Sequence, residues 1–122
     1  MAARVCKLNY FSGSQLWKLD GSILLNKDKV WVSDEKWVFK TKTNLIYIEN
    51  IKTKKVLESK NDGKVSQEDY EEGKAQQLWK KGDPNAEGYF TLKNSKEPKL
   101  MTAISTSDLQ IKGNITHKWI VN

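Results

Sequence analysis

The chain has 122 residues, a formal net charge of +6 and a pI ≈ 9.3, which suits one domain of ordinary size (1–122) and is too short for two independent cores. Its basic residues are lysines apart from Arg4 and are interleaved with acids, so the charge reads as a solvated surface. The scarcity of arginine, the residue suited to bidentate phosphate and guanine contacts, argues against nucleic acid. The lone Cys6 excludes an internal disulfide, and no apolar run reaches the length of a signal peptide or membrane span. The expectation is a soluble, cytoplasmic protein with no membrane insertion.

Along the chain, no window sustains helical apolar spacing, whereas short alternating runs bounded by Gly, Asn, Asp, Ser and Pro recur. Leu45–Ile48, Gly88–Leu92, Leu100–Ile104 and Leu109–Ile111 are four of them. Many short strands with turn signals between them predict an all-β sandwich or barrel.

Internal repetition chooses the barrel. Three segments align, each with an Asn that closes a first strand and a Leu that opens a second: Asn9 with Leu16, Asn50 with Leu57, and Asn94 with Leu100, at spacings of 7, 7 and 6. A tryptophan follows each Leu at 21, 22 and 19 residues, giving Trp37, Trp79 and Trp119. Asn opens the turns because it tolerates left-handed backbone and bonds its own main chain. The hairpin turns are expected at 12–14, 52–54 and 96–98, the third strands at 22–33, 64–69 and 108–113, and each fourth strand is expected to end on its Trp. Three lobes, approximately 1–40, 41–82 and 83–122, of about four strands each predict a pseudo-threefold barrel of about 12 strands. In so small a barrel the three indoles pack as the structural core of the repeat. Trp17 and Trp31 lie outside the repeat and are expected to fill the barrel or its cap.

Gln77-Leu78-Trp79 matches the Gln-x-Trp signature of the ricin-B-type β-trefoil family, with Glu35-Lys36-Trp37 and His117-Lys118-Trp119 as altered copies. The chain therefore resembles an R-type lectin, and the resemblance implies a β-trefoil that binds galactose-type or related glycans in shallow pockets, one per lobe. It also implies that a pocket uses an acid just after the second-strand Leu, a ring near the third strand, and an amide beside the Gln-x-Trp. In the second lobe those places fall to Glu58, Tyr70 and Gln76, with further acids at Asp62 and Asp69; the three acids are equally readable as solvated loop carboxylates. Leu16 is followed by Trp17 and Leu100 by Met101, so the other lobes lack the acid. Gln77 itself is expected to bond backbone.

No catalytic chemistry is indicated. His117, the only histidine, occupies the altered Gln position, no Cys/His cluster has metal spacing, and neither a cofactor motif nor a paired-carboxylate arrangement is present. The reading is a non-enzymatic lectin-like module. The alternative is a cytoplasmic protein-interaction trefoil, actin-binding-like or protease-inhibitor-like, in which the lysine-rich stretches 40–42 and 52–55 meet an acidic protein partner.

Overall fold

The computed structural model describes residues 6–9, 16–27, 32–103, 109–112 and 118–121. Among the described residues twelve strands follow one another: β1 (Cys6–Asn9), β2 (Trp17–Asp20), β3 (Ile23–Asn26), β4 (Val32–Lys42), β5 (Leu45–Asn50), β6 (Val56–Ser59), β7 (Lys64–Glu68), β8 (Trp79–Lys81), β9 (Leu92–Asn94), β10 (Leu100–Ala103), β11 (Leu109–Lys112) and β12 (Lys118–Val121). They are taken four at a time. The last strand of each lobe pairs antiparallel with the first strand of the next, β4 with β5, β8 with β9 and β12 with β1, and the second and third strands of each lobe form hairpins. This is the expected all-β trefoil.

Local chemistry places the turns. The β2–β3 hairpin closes through Gly21 at φ 64, and the turn between β6 and β7 through Gly63 at φ 86, conformations that cost a β-carbon dearly. After β5, Asn50 Oδ1 accepts the main-chain N–H groups of Lys52 and Thr53 at 2.9 and 3.0 Å. After β9, Asn94 Oδ1 takes those of Lys96 and Glu97 at 3.0 and 3.2 Å. The hairpin turns expected at 52–54 and 96–98 are therefore held by the Asn of the repeat. The turn expected at 12–14 lies outside the described residues, as does Trp31.

Three details differ from the sequence reading. The fourth strand does not end on its Trp: β8 starts at Trp79, and β4 runs on from Trp37 to Lys42 because Val38 to Lys42 continue the ladder with β5. Of the run Gly88–Leu92, only Leu92 enters a strand, and Phe90 instead forms an isolated bridge with Trp17. Leu57 corresponds to Met101 rather than Leu100: Val56 pairs with Glu49 and Leu100 with the equivalent Lys93, so the buried position falls one residue later. The residue in the place of Glu58 is then Thr102, which is again not an acid.

Trp17, Trp37 and Trp79 are fully buried and cluster with Leu24, Ile48, Leu57, Leu92 and Met101. Each ring removes on the order of 200 Å² from water, roughly 5 kcal/mol before entropic costs. Each N–H also finds an acceptor. Trp79 Nε1 donates to the Leu57 carbonyl at 3.2 Å, Trp17 Nε1 to the equivalent Met101 carbonyl at 3.1 Å, and Trp37 Nε1 to Ser33 Oγ at 2.8 Å. Trp119 falls on β12, opposite Leu8, and its side chain lies outside what is described.

Candidate functional site

The second lobe concentrates polar chemistry around one buried carboxylate. All four residues of β6 are buried, and Glu58 is only 3% exposed. Its Oε1 accepts a hydrogen bond from Gln77 Nε2 at 2.8 Å and faces Lys74 Nζ at 3.3 Å, while Oε2 pairs with Lys60 Nζ at 3.0 Å. Burial pushes this carboxyl up, but the bonds from Gln77, Lys60 and Lys74 outweigh it and hold the group below the usual carboxylate range. Glu58 is thus an ionised group fixed in orientation by three donors.

Gln77 connects that carboxylate to the neighbouring loop. It sits in a 3-10 turn, Ala75–Gln77, just before β8. Besides Glu58, its Nε2 donates to the Asp69 carbonyl at 2.8 Å, and its Oε1 accepts the Glu71 N–H at 2.8 Å. One amide therefore clamps the backbone on both sides of Tyr70 and orients Glu58. The expectation that Gln77 bonds backbone describes two of its three hydrogen bonds; the third goes to Glu58.

Tyr70 stacks on Tyr47, with ring centroids 4.5 Å apart and planes 28° apart, and its hydroxyl donates to Glu72 Oε1 at 3.1 Å. Glu72 in turn pairs with Lys42. Desolvation first, and then Glu72, push the phenol up, while Lys42 and Tyr70 draw the Glu72 carboxyl down. Gln76, half-buried, accepts Asn94 Nδ2 at its main-chain carbonyl, at 3.0 Å. Asp62 stands apart in the turn between β6 and β7, where it is exposed and caps the Lys64 N–H at 3.0 Å. Gln77 thus ties Glu58 to the main chain on either side of Tyr70, whose ring lies on Tyr47, while Asp62 makes a turn-forming contact.

Two lysines complete the cluster. Lys60 bridges Glu58 and Glu68, at 3.0 and 3.1 Å, and Lys74 bridges Glu58 and Glu71, at 3.3 and 2.8 Å. Both ammonium groups are pushed up by these carboxylates, and Lys60, with Ser66, draws Glu68 down. Lys60 had only its nearness in sequence as a signal, standing two residues beyond Glu58 and just past the end of β6. Lys74 had none, because its approach depends on how the loop before β8 folds. Of the lysine-rich stretches, Lys40 and Lys42 are paired with Glu49 and Glu72, whereas Lys52, Lys54 and Lys55 are exposed on the turn after β5.

Among the described residues no group of three His, Cys, Asp or Glu side chains is placed to hold a metal ion, and no helix is long and apolar enough to cross a membrane. The family model of the ricin-type β-trefoil lectin domain-like proteins matches residues 33–115. The chain belongs to that family. The solved structure of a mosquitocidal holotoxin shares its fold, with a TM-score of 0.55 and 20% identity over 94% of this chain and 18% of the toxin chain. No curated protein matches the sequence. Membership of a ricin-type lectin-like family supports carbohydrate binding in general, and in this trefoil Gln77 is the residue that orients Glu58.

Proposed function

We propose that this ricin-type domain is a non-enzymatic carbohydrate-binding module, acting in the cytoplasm, whose glycan site lies in the second lobe and takes a galactose-type residue. The observation that carries the reading is the Gln77 amide, which holds the Glu58 carboxylate and the main chain flanking Tyr70 at one time. A preorganised carboxylate accepts bonds from adjacent sugar hydroxyls, the Gln76 amide supplies both donor and acceptor, and the Tyr70 ring covers a C–H face. Lys60 and Lys74 lie over Glu58, and each keeps a second carboxylate, Glu68 or Glu71, when a hydroxyl takes its place. Uncovering Glu58 therefore leaves neither ammonium unpaired.

A glycan array followed by calorimetric titration tests this. Binding of galactose-terminated glycans is expected, with Glu58→Gln and Tyr70→Ala each reducing it at least tenfold; no binding of any glycan at millimolar concentration overturns the reading. The exposed turn lysines 52, 54 and 55 favour a second reading, an acidic protein partner, for which capture from cytosol should weaken as salt is raised. Capture that salt does not weaken would exclude it.

A further inference from the structure

The threefold repeat sets two rows of residues in equivalent places, each crossing four strands. Along β4, β5, β6 and β7 the register runs from Val38 to Glu49, then to Val56 and to Glu68. Along β8, β9, β10 and β11 it runs from Lys80 to Lys93, then to Leu100 and to Lys112. The apolar residue of the third strand in each row is kept, as Val56 and Leu100. Both glutamates become lysines, and a further lysine takes the place of Val38.

The two rows are not neutralised alike. Lys40 pairs with Glu49 at 3.3 Å and Lys60 with Glu68 at 3.1 Å, while Val56 is fully buried, so the acidic row is both matched and covered. In the third lobe the places of Lys40 and Lys60 fall to Gly82 and Ile104, and neither carries a charge. No ion pair among the described residues involves Lys80 or Lys93, and Glu97, the acid of the turn between β9 and β10, is taken by Lys99 at 3.5 Å. Lys80 is exposed, and Lys93 and Leu100 are half-buried. Two lysines thus stand directly opposite each other across a strand pair, an arrangement that weakens a sheet when no opposite charge lies over it.

We infer that this face of the third lobe is a docking surface for an extended, acidic segment of a partner protein. It stands apart from the Glu58 cluster and from the turn lysines 52, 54 and 55, and depends on neither reading of the proposed function. Charge complementarity selects the occupant. Alternate side chains of an extended segment lie on one side about 7 Å apart, and paired strands are about 5 Å apart, so alternate carboxylates fall within reach of the flexible side chains of Lys80 and Lys93. Leu100, next in the row, receives an apolar residue of the same segment. A lipid surface suits the face less, because Leu100 is half-buried in a ladder and not raised on a turn. Nucleic acid suits it less too, because the row has no arginine to grip a phosphate by two bonds.

The test is nitrogen-15 NMR titration of the whole chain with a synthetic peptide that alternates glutamate and threonine around one central leucine. The same peptide with glutamine for glutamate, phosphatidylserine vesicles and single-stranded oligothymidylate are titrated beside it. The acidic peptide should shift the Lys80, Lys93 and Leu100 amides together and bind less tightly as salt is raised. Its affinity should fall at least tenfold in Lys80→Glu/Lys93→Glu and severalfold in the milder Lys80→Gln/Lys93→Gln, whose amide spectrum checks the fold, and stay at the parent value in Lys52→Glu/Lys54→Glu/Lys55→Glu. Shifts confined to residues 52–55 overturn the third-lobe surface and leave the acidic-partner reading of that turn standing. Equal binding of the glutamine peptide overturns the choice of an acidic segment. Tighter binding of vesicles or oligothymidylate through Lys80 and Lys93 overturns the choice of a protein, and no shift of the row with any of these probes overturns the surface itself.

Discussion

The segments before Trp37 and before Trp79 occupy equivalent slots in the trefoil and handle polar side chains in opposite ways. Before Trp79, Gln77 satisfies itself on Glu58, Asp69 and Glu71, and two lysines close over the carboxylate. Before Trp37, the corresponding Glu35 is exposed, its strand is tied to Ser33, and an open cleft takes the place of a network. The backbone ladder tolerates both because the core below needs only the indole and an acceptor for its N–H. That acceptor is the Leu57 carbonyl in one case and Ser33 Oγ in the other. The polar layer above the core is therefore internally saturated in one slot and open in the other.

The widest gap between the two regions is expected at the glutamine itself. Gln77→Ala strands the Glu71 N–H and removes the main orienting donor to Glu58, which should cost about 3 kcal/mol in urea denaturation and abolish second-lobe glycan binding. Glu35→Ala, at the equivalent exposed position, should stay within about 0.5 kcal/mol of the parent. Equal costs would show that the two slots do not differ as described. Next in size is Ser33→Ala, which takes from Trp37 Nε1 its buried acceptor and should cost about 2 kcal/mol, against almost nothing for the exposed Ser95→Ala.

Acid should separate the regions too, with a smaller effect. The folded-state pKa of Glu58 is held below its ordinary value, so its contribution to stability is present above the ordinary carboxylate range and is lost as pH falls through the depressed pKa. Below roughly pH 4 the parent should lose stability faster than Glu58→Gln does, measured as urea midpoints across pH. Parallel curves would mean that Glu58 contributes no such linkage.

How much of this was readable in advance follows from where each feature is encoded. The repeat of Asn50 and Asn94 with Trp37 and Trp79 was legible because turn chemistry and core burial act on single residues at fixed spacing. The one-residue error at Leu100 arose because Leu100 and Met101 are both apolar, and only the pairing of Lys93 with Leu100 shows which is turned inward. Glu58 was legible as the second-lobe acid that follows Leu57, but its bond to Gln77 and the approach of Lys74 were not, since both depend on loop geometry rather than on strand alternation. The cleft had no sequence signal. It exists because Ser33 extends a segment that forms a 3-10 turn in the second lobe, and a choice between two short backbone forms is settled by tertiary contacts.

The finest comparison is between the two asparagines. Asn50 and Asn94 are both fully buried and both spend Oδ1 on two turn N–H groups, with the Ser59 hydroxyl a third donor to Asn94 at 3.1 Å, so replacing either by Asp preserves the turn and burdens each site with a buried charge. The larger difference is at the amide nitrogen. In Asn94→Asp a carboxylate oxygen replaces the donor to the Gln76 carbonyl and faces that carbonyl, so a bond is lost and a repulsion gained. In Asn50→Asp the atom replaced had no partner to lose. Asn94→Asp should therefore be the costlier of the two by about 1 kcal/mol in paired urea titrations at neutral pH. The sign of that difference matters more than its size: if Asn50→Asp proves the costlier, the Asn50 Nδ2 is satisfied in solution, and the buried donor without a partner does not exist.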